Sequence, residues 1–95
     1  MAISTVTVVT KSASRYLQQL CKHWSHKFEV EFTPQEGRIL FTDGRIVTLK
    51  ASNEALDITA EAPAETQAQL EDVVAKHIIQ FAFREELTFD WNRQA

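Results

Sequence analysis

The hydrophobic pattern changes period several times along the chain, and each change marks an element. Ile3 to Thr10 is rich in β-branched residues and reads as a strand. From Ala13 the apolar positions take helical spacing: Ala13, Leu17, Leu20, Cys21, Trp24 and then Phe28 share a core face, with Tyr16, His23 and Lys27 on its flank. Ser12 or Ser14 supplies an N-cap, and this helix is expected to run to about Lys27. Phe28, Val30 and Phe32 then alternate with Glu29 and Glu31, the pattern of a strand with one wet face.

Pro34 to Gly37 reads as a turn, followed by strands over Arg38 to Phe41 and Arg45 to Ala51. Their register is set by the loop at Thr42-Asp43-Gly44. A two-residue loop would set Ile39 and Phe41 on the same face as Lys50, whereas a three-residue loop with Gly44 left-handed pairs Ile39 with Val47 and keeps Val47 and Leu49 on that face. The second is expected. A turn at Ser52-Asn53-Glu54 leads to Leu56, Ile58, Ala60 and Ala62 facing inward, with Asp57, Thr59 and Glu61 facing out.

Pro63 and Ala64 break that strand, and Glu65 or Thr66 opens a long helix with Glu71 and Asp72 near its positive end. Its apolar stripe is Leu70, Val73, Val74, His77, Ile78 and Phe81, with His77 and Phe81 near the middle. Ile79 and Phe83 fall on the opposite side, one turn apart, where a lone domain would place charge, so they are interface candidates. The helix is expected to reach about Glu86. Leu87 to Trp91 alternates again and reads as a short extended tail pinned to the sheet or the helix end.

The order is strand, helix, four strands, helix and short C-terminal strand. Runs of adjacent strands imply an antiparallel sheet, so the expected fold is an α+β two-layer sandwich, one domain over residues 1–95.

Composition narrows the classes without choosing among them. The chain has 95 residues, 44% hydrophobic and 24% charged, with no apolar run of membrane-spanning length and no signal-peptide pattern at Met1 to Thr5, so a cytoplasmic location is expected. One cysteine, Cys21, excludes an internal disulfide and fits a reducing compartment. Residues 1–50 carry seven Lys or Arg against four Asp or Glu, and residues 51–95 three against nine. The basic residues are scattered singly, which argues against nucleic acid as a partner.

Cys21-Lys22-His23-Trp24-Ser25-His26 resembles a metal cluster in letters only. On a helix Cys21 and His23 diverge by about 160° and Cys21 and His26 by about 140°, so they do not close on one ion, and no metal is expected. Gly37 and Gly44 are the only two glycines, too few for a phosphate-cradling loop, and no cofactor is expected. No catalytic constellation stands out. The softer candidate is the flank of Tyr16, His23 and Lys27, a ring, an imidazole and an ammonium suited to a small anionic or aromatic ligand. His77 adds an imidazole that is either satisfied in the core or at work, and Arg84 a charge just beyond the core stripe.

Arg15-Tyr16-Leu17, Leu20 to Lys27, Ala60-Glu61-Ala62, Leu70 to His77 and Phe81 to Leu87 together resemble the bacterial family called domain of unknown function 2218. The resemblance spans about Thr5 to Trp91. It implies a small bacterial protein with a layout similar to the TATA-binding protein, and an association with siderophore-interacting flavin reductases. No catalytic residue carries over. The expected function is therefore a non-enzymatic binding or accessory module in iron or siderophore utilisation. The alternatives are a homodimeric or partner-binding protein using Ile79 and Phe83, or a small enzyme with His77 as general base.

Overall fold

The computed structural model describes residues 1–94. The elements follow as β1 (Ala2–Val9), α1 (Ala13–Trp24), β2 (Glu29–Phe32), β3 (Glu36–Leu40), β4 (Ile46–Ala51), β5 (Ala55–Ala62), α2 (Ala64–Phe81) and β6 (Asn92–Gln94). The strands form one sheet in the order β2-β3-β4-β5-β1-β6, and every neighbouring pair is antiparallel. α1 packs on β2, β3 and β4, and α2 on β5 and β1, giving the α+β two-layer sandwich that the pattern predicts. No helix among the described residues is long and apolar enough to cross a membrane.

The inward faces of the strands are Val6 and Val8, Ile39, Val47 and Leu49, and Leu56, Ile58, Ala60 and Ala62, all buried. Leu17, Leu20, Cys21 and Trp24 of α1 close over them, with Leu70, Val74 and Ile78 of α2. The expected hairpin forms: Gly44 has φ +91°, its N–H donates to Phe41 O at 3.0 Å, and Ile39 stands opposite Val47.

Gly37 lies inside β3 rather than in a turn. The turn is Thr33 to Gln35, closed by Thr33 N–H donating to Glu36 O at 2.7 Å. A Cβ on Gly37 would stand 2.7 Å from Cys21 Sγ and 3.3 Å from Leu17 Cδ2, so the missing side chain lets α1 settle close to the sheet.

Both helices end earlier than their periodicity suggests. α1 stops at Trp24, whose carbonyl accepts from the N–H groups of both Lys27 and Phe28 at 3.0 and 2.9 Å, turning the chain into β2. α2 stops at Phe81, with the Ala82 N–H shared between the carbonyls of Ile78 and Ile79 at 3.0 and 3.1 Å. For α2 the reason is tertiary. Glu85 accepts hydrogen bonds from Tyr16 Oη and Thr10 Oγ1, and continued helix would leave both buried hydroxyls without that partner. Phe83 and Arg84 therefore lie beyond the helix, and Ile79 and Phe83 do not form one helical stripe.

The buried stripe of α2 is Gln67, Leu70, Glu71, Val74 and Ile78, rotated from the expected one so that Val73, His77 and Phe81 sit half-buried at its margin. Glu71 is thus inside the fold. Ser4 Oγ donates to its carboxylate, Gln67 Nε2 donates to Ser4 Oγ at 2.5 Å and to Ala60 O at 3.1 Å, and Arg93 Nε and Nη2 of β6 donate to Glu71 at 2.8 and 3.0 Å. This pairing fastens β6 across β1 to α2. Leu87, Phe89 and Trp91 pack half-buried against the core as the expected tail, and the strand itself begins one residue beyond them.

Candidate functional site

The turn after α1 places Lys27 at the edge of the helix layer, and Ser25 Oγ, donating to Lys22 O at 2.7 Å, holds that turn. On the sheet side, the left-handed Gly44 brings Phe41 and Arg45 together, with Phe41 N–H donating to Arg45 O at 2.9 Å. The third wall is α2, which contributes Val73 and His77. Between them lies a cavity of about 330 Å³ lined by His23, Trp24, Lys27, Phe28, Phe41, Arg45, Val73 and His77. That is the small end of the roughly 300–1,000 Å³ range of ligand pockets.

Its walls are aromatic. Trp24 meets Phe41 edge to face at 5.2 Å between centroids, Phe28 meets Phe41 at 4.6 Å, and His77 lies 5.0 Å from Trp24 and 5.1 Å from His23. Its charges are cationic. The Arg45 guanidinium sits 5.2 Å from the Phe41 centroid with Nε 2.8 Å from Asp43 Oδ2, and Lys27 is exposed at the rim. Arg45 holds the Asp43 carboxyl below the usual carboxylate range, so this acid stays ionised behind the guanidinium. Among the described residues no acidic side chain lines the cavity.

The His77 ring is oriented from below. Nδ1 lies 2.7 Å from Val73 O, and because a carbonyl only accepts, the proton is on Nδ1 and Nε2 is the remaining ring nitrogen. A binding pocket built this way offers flat apolar surfaces for a ring, two permanent cations for an anion, and two imidazoles that can donate or accept.

Of the residues singled out from the sequence, His23, Lys27 and His77 come together here. Tyr16 does not. It is buried, its hydroxyl donates to Glu85, and burial together with that carboxylate pushes the phenol above its ordinary value. Arg84 lies outside the cavity with its guanidinium 5.3 Å from the Phe83 ring, and Ile79 and Phe83 are 50% and 73% exposed. Cys21 is fully buried and its thiol is pushed up to about 11, which leaves it a packing residue. Among the described residues no group of three or more His, Cys, Asp and Glu is placed to hold a metal ion.

Sequence reasoning missed Trp24, Phe28, Phe41, Arg45 and Val73 as site residues. Trp24 and Phe41 read as core because a ring can be buried by its own fold and still form the floor of a pocket. The available signal was the three-residue loop, which sets Phe41 and Arg45 side by side at the end of a hairpin. A larger cavity of about 410 Å³ lies at the sheet's β2–β4 end, lined by two acids, Glu31 and Glu36, and two bases, Arg38 and Lys50. Arg38 stands opposite Glu31, and Lys50 opposite Glu36 and Asp57, so these charges face partners across the strands.

A family model described as an uncharacterised protein conserved in bacteria, DUF2218, matches residues 5–92. The NMR structure of PA4090 from Pseudomonas aeruginosa is 42% identical, with a TM-score of 0.81 over 97% of this chain and 96% of that one. No curated protein matches the chain.

Proposed function

The chain belongs to the DUF2218 family of bacterial proteins, and we propose that it is a non-enzymatic binding module whose pocket takes a small aromatic anion. The observation that carries this reading is the convergence of Trp24, Phe28 and Phe41 with Lys27 and Arg45 around one cavity that, among the described residues, no carboxylate lines. Aromatic walls favour a planar ring, and cations at a partly desolvated rim favour its acid group. A role in iron or siderophore utilisation is a narrower form of the same proposal. Catecholate and hydroxybenzoate groups are aromatic anions of this size, so that chemistry fits the pocket.

The test is thermal unfolding with a panel of benzoate, 2-hydroxybenzoate, 2,3-dihydroxybenzoate and indole-3-carboxylate, against phenol and inorganic phosphate. A ligand at ten times its Kd stabilises by about 1.4 kcal/mol, a rise of roughly 6–11 °C in Tm for a domain of this size. Aromatic acids should raise Tm, and phenol and phosphate should not. The rise should disappear in a Lys27→Met, Arg45→Met protein. Equal indifference to every compound at millimolar concentration would remove the proposal.

A further inference from the structure

We infer that His23 and His77 form a two-imidazole ligand pair for a divalent transition metal, which enters the pocket together with an aromatic anion that completes its coordination. The inference rests on the anion-binding reading above and extends it. Two imidazoles bound to one tetrahedral ion at about 2.0–2.1 Å place their ring centroids about 5 Å apart. The His23 and His77 centroids are 5.1 Å apart, although the residues come from different helices.

The support behind His77 is that of a metal ligand. Its Nδ1–H donates to the Val73 carbonyl at 2.7 Å, which fixes the tautomer and leaves Nε2 as the coordinating nitrogen. Nitrogen donors without carboxylate or thiolate select a borderline ion such as Zn²⁺, Ni²⁺ or Cu²⁺ over Mg²⁺ or Ca²⁺. Cys21, the only thiol, is buried on the core side of α1 and takes no part.

Charge explains why the anion is required. Lys27 and Arg45 line the same cavity, so a bare dication is repelled, whereas an ion whose open positions are filled by an anionic chelator is not. Metal and anion therefore bind cooperatively, and the coupling is reciprocal: each tightens the other by the same factor.

The experiment is calorimetric titration of the untagged full chain with 2-hydroxybenzoate, whose carboxylate and hydroxyl chelate, with and without Zn²⁺, for the native protein, His23→Ala and His77→Gln. His23 is exposed, so His23→Ala keeps the fold, which its thermal unfolding verifies. Zn²⁺ should tighten 2-hydroxybenzoate about tenfold or more in the native protein and have no such effect in His23→Ala. The effect should be lost in His77→Gln as well. No Zn²⁺ effect on the native protein, or an undiminished effect in either His variant, overturns the ligand pair. If 2-hydroxybenzoate binds equally with and without Zn²⁺, the pair falls and the anion pocket stands. If it binds in neither condition, both fall.

Discussion

α2 passes two polar regions, and they are built on opposite principles. Near its start, Gln67 and Glu71 meet Ser4 and Arg93 in a network where the buried carboxylate accepts from the Ser4 hydroxyl and from two guanidinium nitrogens. Near its end, Val73 and His77 meet His23, Lys27 and Arg45 around a cavity. The first holds opposite charges in contact and closes β6 onto the fold. The second collects cations against aromatic walls and leaves the space between them open. A polar group that is paired within the chain reports on stability, and one held in place beside an open cavity reports on binding.

The largest effect should come from a residue of α2 that belongs to neither region but is packed in the core. Ile78→Ala, at a fully buried position, should cost about 2–5 kcal/mol by urea unfolding. Phe81→Ala should cost clearly less, because Phe81 is the last residue of α2 and only half-buried against the His23 ring. Equal losses would mean that the core stripe of α2 is the one its periodicity suggests.

The next effect separates the two regions directly. Glu71→Ala should cost about 1–3 kcal/mol, since it strips the Ser4 hydroxyl of its acceptor inside the fold. Lys27→Ala at the exposed pocket rim should change stability by less than about 0.5 kcal/mol. The Arg93 guanidinium and the Ser4 hydroxyl hold the Glu71 carboxyl below its ordinary range, overcoming the opposing effect of burial. A carboxyl whose folded pKa is depressed stabilises above its unfolded value of about 4.3. That contribution is lost as pH falls through the lower folded value. Urea midpoints measured from pH 7 downward should fall below pH 5, and the Glu71→Gln protein should show a shallower decline.

The smallest effect concerns the rim. Asp43 competes with a bound anion for Arg45, so Asp43→Asn should tighten 2-hydroxybenzoate a few-fold, read by titration at low salt. Weaker binding would mean that Asp43 positions the guanidinium rather than competing for it.

Much of this fold is legible in the sequence because strands and helices write their periods into neighbouring residues. The alternation from Leu56 to Ala62 and the Ile39–Val47 register follow from side-chain direction and from one loop with a left-handed Gly44. Three of the eight residues lining the site were legible too, since His23 and Lys27 share a helix flank and His77 stands out as an imidazole on an apolar stripe. Tyr16 shares that flank in projection, yet its hydroxyl is drawn to Glu85, which lies 69 residues on. A helical wheel gives direction around one axis and nothing about what stands opposite.

The sequence by itself determined the element order, the two-layer class, the inward faces of the strands and the hairpin register, because each depends on interactions within or between adjacent segments. Only the tertiary structure decided where α2 stops, that Glu71 is buried, that β1 lies between β5 and β6, and which side chains share a cavity. Those outcomes rest on contacts between residues tens of positions apart, Ser4 with Glu71, Tyr16 with Glu85 and His23 with His77. Their energy exists only once the chain has folded, so no local pattern encodes them.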